Sequence, residues 1–388
     1  VIAPGRLSRP APAAASAAAR SPPAAAGQAR PAGAAGDQAE PVRVMICDDS
    51  LVIRGAIGRM LESEPAIRVV ARVANGQLAV QQIATTPVDV IVLDIEMPVM
   101  DGLTALPLLL RADPSVRVIM ASTLTTRGAD IALRALRMGA ADYVPKPSAT
   151  AVAGDDGFRR ELIEKIKGLA RLRRHAAAPG GAAAPPPPLA LRPAGARPAR
   201  LLAIGSSTGG PQALFQLVQG LGWLKRVPVV LTQHMPAAFT AILATHIDRL
   251  GALPCAEAKD GEMLRPGHIH LAPGGQHMLV DAVASGLRVR LTTDPPENYC
   301  RPAVDPMLRS AAAACGGQVL VAMLTGMGHD GLAGTRAVIA AGGTAIAQDE
   351  ASSVVWGMPG AIAREGLCHA VLPLPRIAAK LRELFGAT

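Results

Sequence analysis

The sequence predicts two α/β domains, each a doubly wound parallel sheet, joined by a linker, with an antiparallel edge hairpin on the second. Three observations predict this. Short apolar runs alternate with helical patterns over residues 42–174 and again over 200–388, and regular βα alternation implies a parallel sheet covered on both faces. Between them, residues 175–199 are rich in Pro, Ala and Gly and hold four consecutive prolines, a composition that favours an extended spacer. Finally, 388 residues are enough to bury two full cores.

The elements follow in order. Residues 1–41 are Ala, Pro, Gly, Ser and Arg with almost no large apolar side chain, so they read as a disordered tail that cannot offset its ordering entropy. The strands of the first domain are Val42–Cys47, Ile67–Val73, Val88–Leu93, Val116–Ala121 and Asp142–Val144. Its last helix carries Phe158, Leu162, Ile166 and Leu169 on one stripe. In the second domain, Leu201–Ser206, Val227–Thr232, Gln318–Leu324, Thr344–Ala347 and His369–Leu372 read as sheet strands. His268–Leu271, His277–Val280 and Leu287–Thr292 read as hairpin strands added at one edge.

Composition narrows the function. Half of the chain is hydrophobic but only 2% is aromatic, so both cores must be aliphatic. No apolar run is long enough to cross a membrane. The five cysteines are scattered and form no C-x-x-C pair, which fits a reducing cytoplasm better than a disulfide framework or a structural zinc site. The net charge of +9 would suit nucleic acid, but its placement argues against that partner. Residues 159–200 carry ten Lys/Arg against two acidic residues, whereas residues 41–158 and 201–388 together net −1. The basic excess therefore reads as a property of the linker rather than of a folded face.

The stretch Leu201–Pro211 is the first candidate for chemistry. An apolar strand breaks into Gly205-Ser206-Ser207-Thr208-Gly209, which fits G-x-S-x-G, and Pro211 suits a first helical turn. Two readings stand: a nucleophilic Ser207 on a sharp strand-to-helix turn, or a glycine-rich turn that holds a phosphate or closes a loop. A serine nucleophile needs a base, and the base needs an orienting acid. His234 ends one strand and Asp330 lies in the glycine-rich turn after another, so all three fall at carboxyl ends of strands. His329 and Asp349-Glu350 are rivals for those roles, and His268, His270 and His277 could ligate zinc.

The first domain gathers acids at its strand ends. Asp48 and Asp49 end the first strand, and Asp94 ends the third, followed by Glu96. Ser122 ends the fourth strand and Lys146 the fifth. Carboxylates brought together repel unless a hard cation or a lysine joins them. With these motifs, residues 42–174 resemble a two-component receiver domain. The resemblance implies that Asp94 accepts a phosphoryl group from a histidine kinase. It further implies that Asp48, Asp49, Asp94 and the backbone carbonyl of Glu96 hold Mg²⁺, with Ser122 and Lys146 as the phosphate switch.

The second domain resembles the catalytic domain of the chemotaxis protein-glutamate methylesterase/protein-glutamine glutaminase family. The stretches that carry the resemblance are Ile204–Pro211, Thr232–Pro236, Leu271–Gly275, Arg301–Asp305, Leu324–Gly331 and Glu350–Pro359. By position it implies Ser207 as nucleophile, His234 as base and Asp330 as its orienter, with backbone N–H groups of Thr208 and Met327 at the oxyanion hole. Ser206 stands where many members have Ala, and His329 where many have Asn. The implied activity is phosphorylation-regulated hydrolysis of glutamate γ-methyl esters, and deamidation of glutamines, on chemoreceptor cytoplasmic helices. It needs no cofactor for ester hydrolysis and no membrane insertion. The rival function is a non-catalytic response regulator whose second domain binds a partner.

Overall fold

The computed structural model describes residues 40–122, 125–146, 156–177 and 189–386. The tail expected over residues 1–41, apart from its last two residues, and the proline run of the linker lie outside the described residues.

The first domain is built from β1 (Val42–Cys47), α1 (Leu51–Glu62), β2 (Ile67–Val73), α2 (Gly76–Ile83), β3 (Val90–Asp94), α3 (Gly102–Ala112), β4 (Arg117–Ser122), α4 (Thr126–Arg137), β5 (Asp142–Pro145) and α5 (Asp156–Ala177). The strands are parallel in the order β2-β1-β3-β4-β5. The inner strands β1 and β3 are rich in Val and Ile and buried almost throughout, as strands covered on both faces must be. Ser50 and Asp101 cap α1 and α3 by accepting from Ile53 N and Thr104 N, which leaves their helices starting directly above the strand ends. The α5 stripe is as expected: Leu162, Ile166 and Leu169 are buried against β1, β3 and β4. Each such side chain contributes roughly 1.5–3 kcal/mol by leaving water.

The second domain comprises β6 (Leu201–Ser206), α6 (Gly210–Gln219), β7 (Val229–Gln233), α7 (Ala237–Asp248), β8 (Cys255–Glu257), β9 (Ile269–Leu271), β10 (His277–Val283), β11 (Gly286–Thr292), α8 (Val304–Cys315), β12 (Val319–Met323), α9 (Leu332–Ala340), β13 (Thr344–Gln348), α10 (Met358–Arg364), β14 (Ala370–Leu372) and α11 (Leu374–Leu384). Its main sheet runs β14-β13-β12-β6-β7-β9-β8, parallel throughout. The chain moves outward in one direction after β6 and in the other after β12. The switch point therefore lies between those two strands, and crevices form there.

Two expectations need correction. His268–Leu271 is not a hairpin strand. Ile269–Leu271 is buried at every residue and pairs in parallel with β7, Val229 facing Ile269. The hairpin is β10–β11 alone, a separate two-stranded sheet. The three-residue strand β8 pairs with β9, and no apolar run in the sequence marks it. Such short strands carry too few residues to show a period. The basic excess is also not confined to a linker. Seven of the ten basic residues in 159–200 lie on α5, where several are paired: Lys165 with Asp142 and Glu161, Lys167 with Glu64, and Arg173 with Asp113 at 3.0 Å. After the proline run the chain lies along the second domain, with Arg192 N donating to Cys368 O at 2.9 Å and Gly195 N to Thr344 Oγ1 at 2.9 Å.

Candidate functional site

Sheet register brings the second domain's candidates together. β6 lies between β12 and β7, pairing Gly205 with Met323 and Ser206 with Gln233. The residues just beyond these strands, Ser207, His234 and the turn to Asp330, therefore emerge side by side at one edge of the sheet. Locally the turn is forced. Gly209, the residue before α6, adopts φ +73°, a backbone state that side-chain-bearing residues disfavour. Ser207 O accepts from Gly210 N at 2.7 Å and from Gln233 Nε2 at 2.9 Å, which pins the loop from two sides.

The two serines are separated by burial. Ser206 is fully buried and its hydroxyl donates to Gln233 Oε1 at 2.7 Å. Ser207 is only partly buried, and its hydroxyl has no hydrogen-bond partner among the described residues. Neither the Thr208 N–H nor the Met327 N–H is engaged among the described residues either, so both can serve a developing negative charge.

His234 and Asp330 form a close pair, Nε2 to Oδ2 at 2.7 Å. Asp330 is buried and receives further hydrogen bonds from Asn298 Nδ2, Val304 N, Asp305 N and Gly331 N at 2.6–3.1 Å. Burial alone would raise its pKa. The bonds from His234, Val304 and Asp305 outweigh burial and hold it below the usual carboxylate range. The other ring nitrogen, Nδ1, lies 3.3 Å from Cys300 Sγ. Burial pulls the imidazolium down, but the contacts with Asp330 and Cys300 reverse this and lift His234 to about 10. The structure thus joins His234 to Asp330 and places Ser207 on the adjacent strand end without a hydrogen bond between Ser207 and His234. Cys300 and Asn298 were missed in the sequence, where nothing in their spacing marks them. Asp305 lay in a motif already singled out.

The rivals have other partners. His329 is exposed. His270 Nδ1 pairs with Glu262 at 2.9 Å and its Nε2 accepts from Arg265 N. His277 has both ring nitrogens occupied, by Pro295 O and Ala303 N. Asp349 accepts from Ser352, and Glu350 pairs with Arg171 of α5 at 3.4 Å.

In the first domain, carboxylate oxygens of Asp48, Asp49 and Asp94 lie within 4.8 Å of one another. Lys146 Nζ bridges two of them, 2.6 Å from Asp48 and 2.7 Å from Asp94. Asp48 and Asp94 are buried and Asp49 is exposed, so one side opens to solvent. This all-oxygen donor set fits a hard divalent cation. Ser122 ends β4 in the buried interior, and its carbonyl accepts from Lys146 N at 2.6 Å. Glu96 follows Asp94 on the exposed side.

One short strand links the two sites. β5 precedes Lys146 at the acidic pocket. Three residues earlier, the Tyr143 ring stacks on Phe239 of α7 with centroids 4.8 Å apart. One residue before that, buried Asp142 accepts a hydrogen bond at 3.1 Å from Gly209 N, two residues beyond Ser207. Burial pushes the Asp142 carboxyl up, and the Lys165 ammonium 3.3 Å away opposes that. Around this contact Gln212 Nε2 donates to Leu136 O and to Ala140 O at 2.7 Å. His246 pairs with Asp130 at 3.1 Å, and Arg171 donates to Ser353 O at 2.8 Å. Gly168 lets α5 press against Val354, since a Cβ there would meet Val354 O at 2.1 Å. The first domain thus sits directly on the loop that carries Ser207.

Comparison with known proteins bears on both halves. The family model described as CheB methylesterase matches residues 202–381, and the one described as response regulator receiver domain matches 44–152. The chain is 54% identical over 370 residues to a protein-glutamate methylesterase/protein-glutamine glutaminase of Paramagnetospirillum magneticum, covering 89% of this chain and 96% of that protein. The like-named protein of Azospirillum brasilense is 55% identical over 365 residues, covering 89% and 93%. Among solved structures, the CheB methylesterase catalytic domain of Thermotoga maritima aligns at 40% identity with a TM-score of 0.47, over 48% of this chain and 98% of that one. The response regulator domain of CheB from the same organism aligns at 38% identity with a TM-score of 0.30, over 34% and 97%.

Proposed function

This chain belongs to the protein-glutamate methylesterase/protein-glutamine glutaminase family, and from that premise we propose how its residues carry out the chemistry. The protein is a phosphorylation-regulated hydrolase that demethylates glutamate γ-methyl esters and deamidates glutamines on chemoreceptors. Ser207 Oγ attacks the γ-carbonyl carbon of the methylated glutamate while His234 takes its proton. The nitrogen available for this is Nδ1, because Nε2 is held by Asp330. Nδ1 must therefore exchange Cys300 for Ser207 before attack. The N–H groups of Thr208 and Met327 bind the oxyanion. His234 then protonates the departing methoxide, giving methanol and an acyl-enzyme. Water, deprotonated by His234, attacks the acyl carbon; Ser207 leaves with the proton and glutamate is restored. On a glutamine the same sequence releases ammonia.

Asp94 is the phosphoacceptor, and a histidine kinase is its donor. Asp48, Asp49, Asp94 and the Glu96 carbonyl would hold Mg²⁺, which when bound offsets phosphoryl charge. Lys146 supplies a second positive charge, and Ser122 engages the new phosphoryl oxygens. Because Lys146 leads directly into β5, any shift at Asp94 bears on Tyr143 and Asp142, and so on the docked face. The substrate helices are cytoplasmic, which places the enzyme in the cytoplasm. Among the described residues no helix is long and apolar enough to cross a membrane.

The observation that carries this reading is the pair of buried Asp330 and partly buried His234 at the sheet edge beside an uncommitted Ser207 hydroxyl. The test is methanol release from a methylated receptor fragment, measured by gas chromatography with and without a phosphodonor. Release that rises on phosphorylation supports it; no release in either state contradicts it.

A further inference from the structure

Residues Asn298, Tyr299 and Cys300 form a tight reversal closed by a reciprocal backbone pair, Glu297 N to Cys300 O at 3.1 Å and Cys300 N to Glu297 O at 2.9 Å. Asn298 and Tyr299 both adopt left-handed backbone, with φ +53° and +64°. Asparagine tolerates that state, but a bulky aromatic does not, and a turn with only a structural duty would carry glycine there. Packing gives nothing in return, because Tyr299 is 98% exposed. Strain of this kind persists when neighbours over-determine it, and it gathers at functional sites.

The neighbours here are the catalytic groups themselves. Asn298 Nδ2 donates to Asp305 Oδ2 at 3.0 Å and to Asp330 Oδ1 at 2.9 Å. Cys300 Sγ lies 3.3 Å from His234 Nδ1. The Arg301 guanidinium ties the base of the loop to Thr293 O and Asp294 O. Tyr299 is therefore carried on a brace fixed to Asp330 on one flank and to His234 on the other. It remains exposed with the first domain in place, so docking does not hide it.

We propose that Tyr299 is a substrate-reading residue. Its ring packs against the receptor helix beside the target glutamate, on the aliphatic stems of side chains one turn away, and so sets affinity for a helical protein substrate. A rigid ring on a fixed turn suits this role, because it offers a large amphipathic surface with few torsions to freeze. The proposal rests on the hydrolase reading above.

The experiment compares Tyr299→Ala and Tyr299→Phe with the unaltered enzyme, using methanol release from a methylated receptor fragment over a range of concentrations. We expect Tyr299→Ala to raise KM about tenfold, as for loss of a single aromatic anchor, with kcat held within about twofold, and Tyr299→Phe to restore KM. An unchanged KM in Tyr299→Ala overturns the proposal, as does a fall in kcat at constant KM, which would make the turn a support for His234 and Asp330 only. If the unaltered enzyme releases no methanol, the hydrolase reading itself fails, and this inference with it.

Discussion

Replacing Gln212 by Ala should partly release the enzyme from its own receiver domain. Gln212 lies in the first turn of α6, five residues after Ser207, and its amide donates to two carbonyls of the receiver, Leu136 O and Ala140 O. Neither carbonyl belongs to the catalytic machinery, and both can be hydrated once the domains part. Each neutral hydrogen bond nets about 0.5–1.5 kcal/mol, so losing two weakens the docked state by about 1–3 kcal/mol. At 1.4 kcal/mol per tenfold, the open fraction rises about 5- to 150-fold, up to the limit set by the fully open enzyme. The assay is the initial rate of methanol release by unphosphorylated enzyme, then the rate after acetyl phosphate is added. The basal rate should climb while the phosphorylated rate stays put, so the stimulation ratio shrinks. An unchanged basal rate would refute the reasoning, and so would a parallel fall of both rates.

Other substitutions separate the remaining parts. Asp94→Ala leaves Lys146 its contact with Asp48 at 2.6 Å, so basal hydrolysis should survive while the response to acetyl phosphate disappears in the same methanol assay. Asp330→Asn puts an amide among five converging donors; kcat should drop on the order of 10³–10⁴, with a lower melting temperature by calorimetry. As the proposed base His234 works only when neutral, and the contacts with Asp330 and Cys300 raise its pKa, so the acid limb of the pH–kcat/KM profile should lie above that of an ordinary imidazole, with activity falling as pH drops through it. Cys300 contributes to the rise, so Cys300→Ala should shift the acid limb of the pH–kcat/KM profile to lower pH; a limb that does not move excludes the thiol from this role.

Much of this site was legible because sheets of this type place function at strand ends. The ends of the runs Leu201–Ser206, Val227–Thr232 and Gln318–Leu324 could be read from apolar residues giving way to Gly, His and Pro, each within one residue of the observed strand end, and the register of β12, β6 and β7 then makes those breaks neighbours. The acids at the ends of β1 and β3 were legible for the same reason. What could not be read is what a chain position meets in space. Ser206 and Ser207 differ in burial, which depends on Gln233 arriving from the next strand. Cys300 and Asn298 reach His234 and Asp330 from a loop whose backbone state has no period. His268–Leu271 reads as a hairpin strand from sequence because so short a run shows no period, and only the pairing of Ile269–Leu271 with β7 makes it a buried parallel strand. The basic residues of α5 read as linker charge from sequence because their partners, Asp142, Glu161, Glu64 and Asp113, are mostly distant in the chain and meet them only in the fold.

The central claim is that Ser207, and not its neighbour, opens the receptor ester under receiver control. The most direct measurement is methanol release from methylated receptor by Ser207→Ala and Ser206→Ala enzymes, each with and without acetyl phosphate. Ser207→Ala should release none above the background without enzyme in either state, while Ser206→Ala, which loses only a buried hydroxyl bonded to Gln233, should keep phosphorylation-stimulated release. Full activity in the Ser207→Ala enzyme, or loss confined to Ser206→Ala, would contradict the account.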